Sequence, residues 1–288
     1  MEKIFFYKMS GAGNDFILID KNSNPGLMLN TKSIKKLCDR RNGIGADGVI
    51  TVSDSNNHDF EMQYFNADGS TGTLCGNGAR CAIKFAEVSG RIKVKNTNFL
   101  SNGLMYSGEV LNGSEVKFFF NPPKGLKYNF KISSGKQLVN ACFVDTGSPH
   151  VIVKVEDILK DPGNPVSKFE KLEDVPVVEL GSEIRYHKDF MPSGTNVNFV
   201  KLIDNKIHIR TYERGVEDET FACGTGATAA AIIGYSIFGL RPPVKLITRG
   251  GDELIVDFGV ENQRVINLSL TGPAKVTFTG ELSLTDYF

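Results

Sequence analysis

The segment Cys75-Gly76-Asn77-Gly78-Ala79 returns as Cys223-Gly224-Thr225-Gly226-Ala227, 148 residues later in a chain of 288. A repeat at about half the chain length points to a duplicated unit. The flanking order repeats too. In the first half a strand-like run, Lys3–Lys8, leads through a glycine loop, Ser10–Asn14, to Phe16–Ile19. In the second, Ala141–Val144 leads through the turn Thr146-Gly147-Ser148-Pro149 to His150–Val153. Further β-rich runs stand at Val49–Val52, Phe60–Phe65, Ile92–Val94 and Val116–Phe120, and at Asn198–Ile203 and Ile207–Tyr212, with a hairpin Val244–Thr248 and Leu254–Phe258. Helices are predicted after Asn30 or Thr31, from Gly76 to near Gly90, and from Gly224 to Phe238. Two lobes follow: residues 1–130 with 273–288, carrying Cys75, and residues 131–272, carrying Cys223. The alternating tail Pro273–Leu282 is expected to complete the first sheet. Lys154–Leu180, with Pro162, Pro165 and Pro176, is expected to be a surface insertion.

Several functional classes drop out on composition. Lys plus Arg total 33 and Asp plus Glu total 33, so the net charge is zero and nothing favours a nucleic-acid or membrane-surface partner. Hydrophobic residues at 41% and charged residues at 23% fit a globular chain. The longest apolar stretch, Ala227–Leu240, is too short for a bilayer of about 30 Å, and no apolar run of signal-peptide length stands near Met1. A cytoplasmic location is expected. Five cysteines without a CxxC or a Cys/His cluster argue against disulfides and against a structural metal. Gly43-Ile44-Gly45-Ala46-Asp47-Gly48 spells the dinucleotide-binding pattern, but a helix precedes it and a strand follows. That order is the reverse of what a pyrophosphate site needs, so a helix-to-strand turn is expected and no cofactor.

Each cysteine of the repeat stands just before a predicted helix. The first turn of a helix has unpaired N–H groups and the positive end of the macrodipole. A thiol there ionises more readily, its value falling from about 8.5 to about 3.5–7.5 in such settings. The same N–H groups can hold a carboxylate, and the glycines let it approach. If the halves face each other about a pseudo-twofold axis, one thiolate can take a proton from a carbon beside a carboxylate while the opposite thiol returns one to the other face. A single such cysteine would more often be a buried structural thiol; two in matching glycine-rich helix starts favour acid/base work.

The ordered set SGAGNDF, NGIGADG, FNADGS, LCGNGARC, TGSPH, TNVNF, TYERGVEDET and ACGTGA resembles the diaminopimelate epimerase family of pyridoxal-independent amino-acid epimerases. The resemblance implies an α/β (α+β) fold of two pseudo-symmetric lobes, each a mixed sheet wrapped around a central helix. It also implies a cytoplasmic homodimer that interconverts LL- and meso-2,6-diaminopimelate without cofactor or metal, on the route to lysine and cell-wall precursors. By motif match Cys75 and Cys223 are the acid/base pair, Cys75 serving the L-centre, with His150 and Glu213 tuning their protonation. The substrate contacts implied are Asn14, Asn66, Gly76, Asn77, Ser148, Asn196, Glu213, Arg214, Gly224 and Thr225, with the Arg214 fork suited to the distal carboxylate. Two positions depart from many family members, which have asparagine at Ser148 and, in some, glutamine at Gly48; both bear on the distal site. Proline or hydroxyproline racemases share the two cysteines and phenazine-type isomerases do not. A non-catalytic carboxylate-binding protein and a thiol redox sensor are the readings from other classes.

Overall fold

Strand β1 (Lys3–Gly11) turns through Ala12 and Gly13, both at positive φ (55° and 89°), into β2 (Asn14–Asp20). Positive φ at both corners is the geometry that lets a two-residue turn match the twist of its strands. The structure, a computed structural model, describes residues 3–72 and 75–283. Its chain divides into two compact units, Met1–Phe119 with Thr271–Phe288, and Phe120–Leu270.

In the first unit, α1 (Thr31–Cys38) begins at Asn30, whose side chain accepts from the Ser33 N–H while Ser33 reaches back to the Asn30 N–H. After it come β3 (Gly48–Ser53), β4 (Phe60–Asn66), α2 (Gly76–Val88), β5 (Asn96–Ser101), β6 (Leu104–Val110) and β7 (Glu115–Phe119). Successive strands are neighbours, β2 with β3 and β4 with β5 in parallel, the others antiparallel. The returning strand Lys275–Ser283 lies antiparallel on the outer side of β1, as the alternating tail implies. Helix α2 packs against β1, β2, β3, β4, β6 and β7 and is buried without interruption from Gly76 to Ile83.

The second unit repeats this plan. It runs β8 (Lys124–Ser134), β9 (Gln137–Asp145), β10 (Pro149–Lys154), α3 (Val177–Arg185), β11 (Asn196–Ile203), β12 (Lys206–Glu213), β13 (Asp218–Thr220), α4 (Gly224–Ile237), β14 (Val244–Ile247), β15 (Glu253–Glu261) and β16 (Arg264–Pro273). Here too the first crossovers are parallel, β10 with β11 and β12 with β14, among antiparallel neighbours. Helix α4 is buried on every side from Gly224 to Gly234 and packs against β9, β10, β11, β12, β14 and β15. A helix apolar all round belongs inside a core, and its run of alanines lets the strands close tightly on it. The fold is thus mixed α/β, the strands of each unit gathered around one central helix.

The structure corrects several expectations. Residues 124–134 pair as β8 with β9, and the first compact unit runs to Phe119. Ile92–Val94 is irregular; Ile92 is buried, Val94 is exposed, and the strand starts at Asn96. The proline-rich Lys154–Leu180 is not a surface insertion. Its Val155, Ile158, Leu172, Val175, Val177 and Leu180 form part of the second core with Val151, Val153 and Phe199. Prolines break its periodicity without removing its apolar side chains from the interior. Gly43–Gly48 joins α1 to β3, as its sequence context implies. Among the described residues no helix is long and apolar enough to cross a membrane.

Candidate active site

Both repeated cysteines are N-caps. Cys75 stands extended before α2 and its Sγ accepts from the Gly78 N–H at 3.3 Å; Cys223 stands extended before α4 and its Sγ accepts from the Gly226 N–H at 3.4 Å. Each sulfur therefore sits at the positive end of a buried helix, bonded to an N–H of its first turn. The other three cysteines have a different environment. Burial pushes Cys38 and Cys81 up to about 12 and raises Cys142, which holds all three as thiols near neutrality.

In the first unit, Asn77 donates to Asn14 Oδ1 at 2.5 Å and accepts from Arg80 Nη2 at 2.9 Å. Asn14 in turn donates to Asp47 Oδ2 at 2.9 Å. Asp47 and Asp15 share Arg40, and Lys8 pairs with Asp15 at 2.8 Å. Burial pulls the Asp15 carboxyl upward, but its bonds to Arg40 and Lys8 outweigh that and hold it at about 2. The Asn77 amide is thus engaged on both sides, and its side chain fixes the turn. Asn66, at the end of β4, donates to Ser70 Oγ at 3.0 Å within its own turn. Gly48 stands opposite it, and a Cβ there would lie 2.5 Å from the Phe65 carbonyl oxygen. The backbone packing therefore leaves no room for a larger side chain at this position.

In the second unit the expected residues come together. Ser148 Oγ lies 3.0 Å from His150 Nε2, which lies 2.9 Å from Thr225 Oγ1; that hydroxyl is 3.4 Å from Cys223 Sγ. Asn196 donates to Ser148 Oγ at 3.2 Å and accepts from the Arg214 N–H at 2.9 Å. Glu213 accepts from Thr220 Oγ1 at 2.9 Å. Arg214 is lowered by burial and by the like charge of Arg185, an environment that an anion would relieve. His150 is fully buried, and burial, reinforced by Arg214, lowers it to about 3.

Three hydrogen-bonded neighbours of these residues were not among those the sequence singled out. Asn198 Nδ2 lies 3.1 Å from His150 Nδ1, Thr211 Oγ1 donates to Asn198 Oδ1 at 2.9 Å, and Arg80 anchors Asn77. Strand alternation was the available signal for Asn198, since Asn196 and Asn198 share a face of β11. Sequence carries no comparable signal for Arg80, which is fully buried inside a helix.

The neutral histidine has a consequence for stability. Between about pH 6.5 and 3 the unfolded chain protonates this histidine and the folded one does not, so stability falls as pH falls through that window. Asp15 extends the loss below 3.8, as its carboxylate is protonated in the unfolded chain first. Urea midpoints measured from pH 7 to 4 are expected to fall, and to fall less steeply in His150→Gln.

Comparison with known proteins follows the same lines. The sequence profile described as diaminopimelate epimerase matches residues 6–106 and 142–277. A curated diaminopimelate epimerase of Aquifex aeolicus is 38% identical over 290 residues, covering 96% of this chain and 97% of its own. That of Chlorobaculum tepidum is 39% identical, covering 96% and 100%. Among solved structures, a probable proline racemase from Agrobacterium radiobacter superposes with a TM-score of 0.71 at 14% identity, covering 98% of this chain and 93% of that one. A phenazine biosynthesis protein from Bacillus anthracis gives 0.70 at 14% identity, covering 99% and 100%. At such identity these two speak for the fold alone. The sequence matches reach through both cysteine segments and nearly end to end, and on them the chain belongs to the diaminopimelate epimerase family.

Proposed function

We propose that this chain interconverts LL- and meso-2,6-diaminopimelate without a cofactor, Cys75 and Cys223 exchanging the roles of base and acid. The observation that carries the reading is the pair of cysteines capping two buried helices in a chain of this family. In the LL direction the Cys75 thiolate takes the α-proton, and the electron pair left on carbon delocalises into the adjacent carboxylate. First-turn N–H groups at Gly76, Asn77, Gly224 and Thr225 stabilise the charge that develops there. The Cys223 thiol then delivers its proton to the opposite face, giving the inverted centre. The two sulfurs end in exchanged protonation states. Asn14, Asn66, Ser148, Asn196 and Glu213 are assigned to substrate contact, and Arg214 to the distal carboxylate.

The product is consumed in lysine and cell-wall precursor synthesis, and a cytoplasmic homodimer is the assembly and location that go with this reading. Five free cysteines suit a reducing compartment. Sedimentation at micromolar concentration tests the dimer. Chiral chromatography after incubating reduced protein with LL-diaminopimelate tests the reaction: the meso isomer is expected, and no turnover of proline. Activity on proline alone would move the chain to the racemases. Arg214→Met is expected to raise KM for diaminopimelate by about 10–100-fold, the worth of a charge-assisted bond of 1.5–3 kcal/mol, with kcat changed less.

A further inference from the structure

The two halves are alike in backbone and unlike behind their cysteines. The parallel register pairs Phe16 with Gly48 and Leu18 with Ile50 in the first unit, and His150 with Asn196 and Ile152 with Asn198 in the second. Phe16 thus occupies the place of His150, and Ile50 that of Asn198. The contacts agree: a Cβ on Gly78 would meet Ile50 Cδ1, and one on Gly226 would meet Asn198 Oδ1. Behind Cys75 this layer is apolar. Behind Cys223 it is a buried polar chain.

The direction of that chain is fixed by its far end. Asn198 Oδ1 accepts from the Thr211 hydroxyl, and its Nδ2 donates to the Val151 carbonyl at 3.0 Å, so the amide has one orientation. Its NH2 faces His150 Nδ1 at 3.1 Å, which makes Nδ1 the acceptor and places the ring proton on Nε2. Nε2–H then points at Thr225 Oγ1, at 2.9 Å, and at Ser148 Oγ, at 3.0 Å. Ser148 already accepts from Asn196. Having accepted from the histidine, the Thr225 hydroxyl has its own hydrogen to give to Ser148 Oγ at 3.3 Å or to Cys223 Sγ at 3.4 Å, and once Cys223 is a thiolate the charged sulfur is the stronger acceptor.

We infer that Asn198, His150 and Thr225 form a one-way donor relay that stabilises the thiolate form of Cys223, with Asn198 and His150 as positioning residues and the Thr225 side-chain hydroxyl as the group that touches the sulfur. A donor to the charged form of an acid favours that form, and successive donors in a low-dielectric interior polarise one another. Of titratable and charged groups, His150 lies within the relay, and burial, reinforced by the Arg214 guanidinium, holds its ring neutral. The relay thus supplies a dipole and not a second proton carrier. It gives Cys223 the lowered proton affinity needed to act as base on the meso isomer, where the reaction runs in reverse. The inference deepens the proposed function and rests on it for its catalytic meaning, but its test does not use epimerisation.

The test follows alkylation of reduced full-length protein by iodoacetamide against pH, with the Cys223 peptide quantified by mass spectrometry. In Thr225→Val, which keeps the shape and loses the hydroxyl, the midpoint for Cys223 is expected to rise by about one pH unit, lowering its alkylation rate near neutrality up to about tenfold. Thr225→Ser is expected to keep the original midpoint, and the Cys75 peptide is expected to be unchanged in both. Equal Cys223 midpoints in wild type and Thr225→Val would overturn the relay. An independent readout needs no variant of the relay: nitrogen-15 shifts of the His150 ring are expected to show the Nε2–H tautomer from pH 5 to 8. A ring protonated on Nδ1, or titrating near pH 6.5, would overturn it equally, whether or not the protein epimerises diaminopimelate.

Discussion

Replacing either Cys75 or Cys223 by alanine is expected to reduce interconversion of LL- and meso-diaminopimelate by about 10²–10⁴-fold, the usual contribution of a positioned acid or base. The variants should differ in what they retain. Cys223→Ala keeps the Cys75 thiolate, so solvent exchange of the α-proton of the LL isomer is expected to persist while inversion fails for want of a proton donor on the other face. Cys75→Ala is expected to show the converse, exchange at the D-centre of the meso isomer with none in the LL isomer. Proton NMR of each variant with each isomer in deuterated water reads all four combinations. A carboxylate-binding protein would show no exchange in any of them. One variant with full inversion would remove its cysteine from the mechanism.

The second large effect concerns two glycines at equivalent positions. A Cβ on Gly226 would lie 2.4 Å from Asn198 Oδ1, which is buried and held by Thr211. Either α4 moves away from β11 or the Asn198 amide gives up its bonds, so Gly226→Ala is expected to destabilise by about 2–4 kcal/mol through overpacking and a broken buried hydrogen bond. A Cβ on Gly78 would instead meet Ile50 Cδ1 at 3.1 Å, the end of a flexible side chain. Alanine's better helix propensity, about 1 kcal/mol over glycine, offsets that crowding. Gly78→Ala is therefore expected within about 1 kcal/mol of wild type. Urea unfolding of both variants decides it, and equal destabilisation would contradict the different environments behind the two helix starts.

The repeat and both central helices were legible because the repeated motif announces a helix start by its chemistry: a capping side chain, then small residues that let the first turn pack closely. The continuous apolar run of β2 and the alternation of β12 were equally readable. The stretch between β10 and β11 was not. Its prolines and charges mask core positions such as Ile158 and Leu172, whose burial depends on partners far along the chain. Strand β8 was missed for a related reason: most of its side chains are exposed, so no apolar face betrays it. At the candidate site, the motifs singled out residue types that react or ionise. Asn198 and Arg80 were not, since they act on other side chains and their meaning lies in hydrogen bonds that only the folded register creates.

The most direct test of the two-base account is the fate of hydrogen in the first turnovers. Reduced wild-type protein is given LL-diaminopimelate in deuterated water and the reaction is sampled while little product has formed. Early meso product is expected to carry deuterium at the inverted carbon in essentially every molecule, and unreacted LL substrate to keep its hydrogen, because one sulfur removes the proton and a solvent-equilibrated second sulfur supplies its replacement. Meso product that retains the original hydrogen would mean that a single base carries the proton across, and would contradict the paired roles of Cys75 and Cys223.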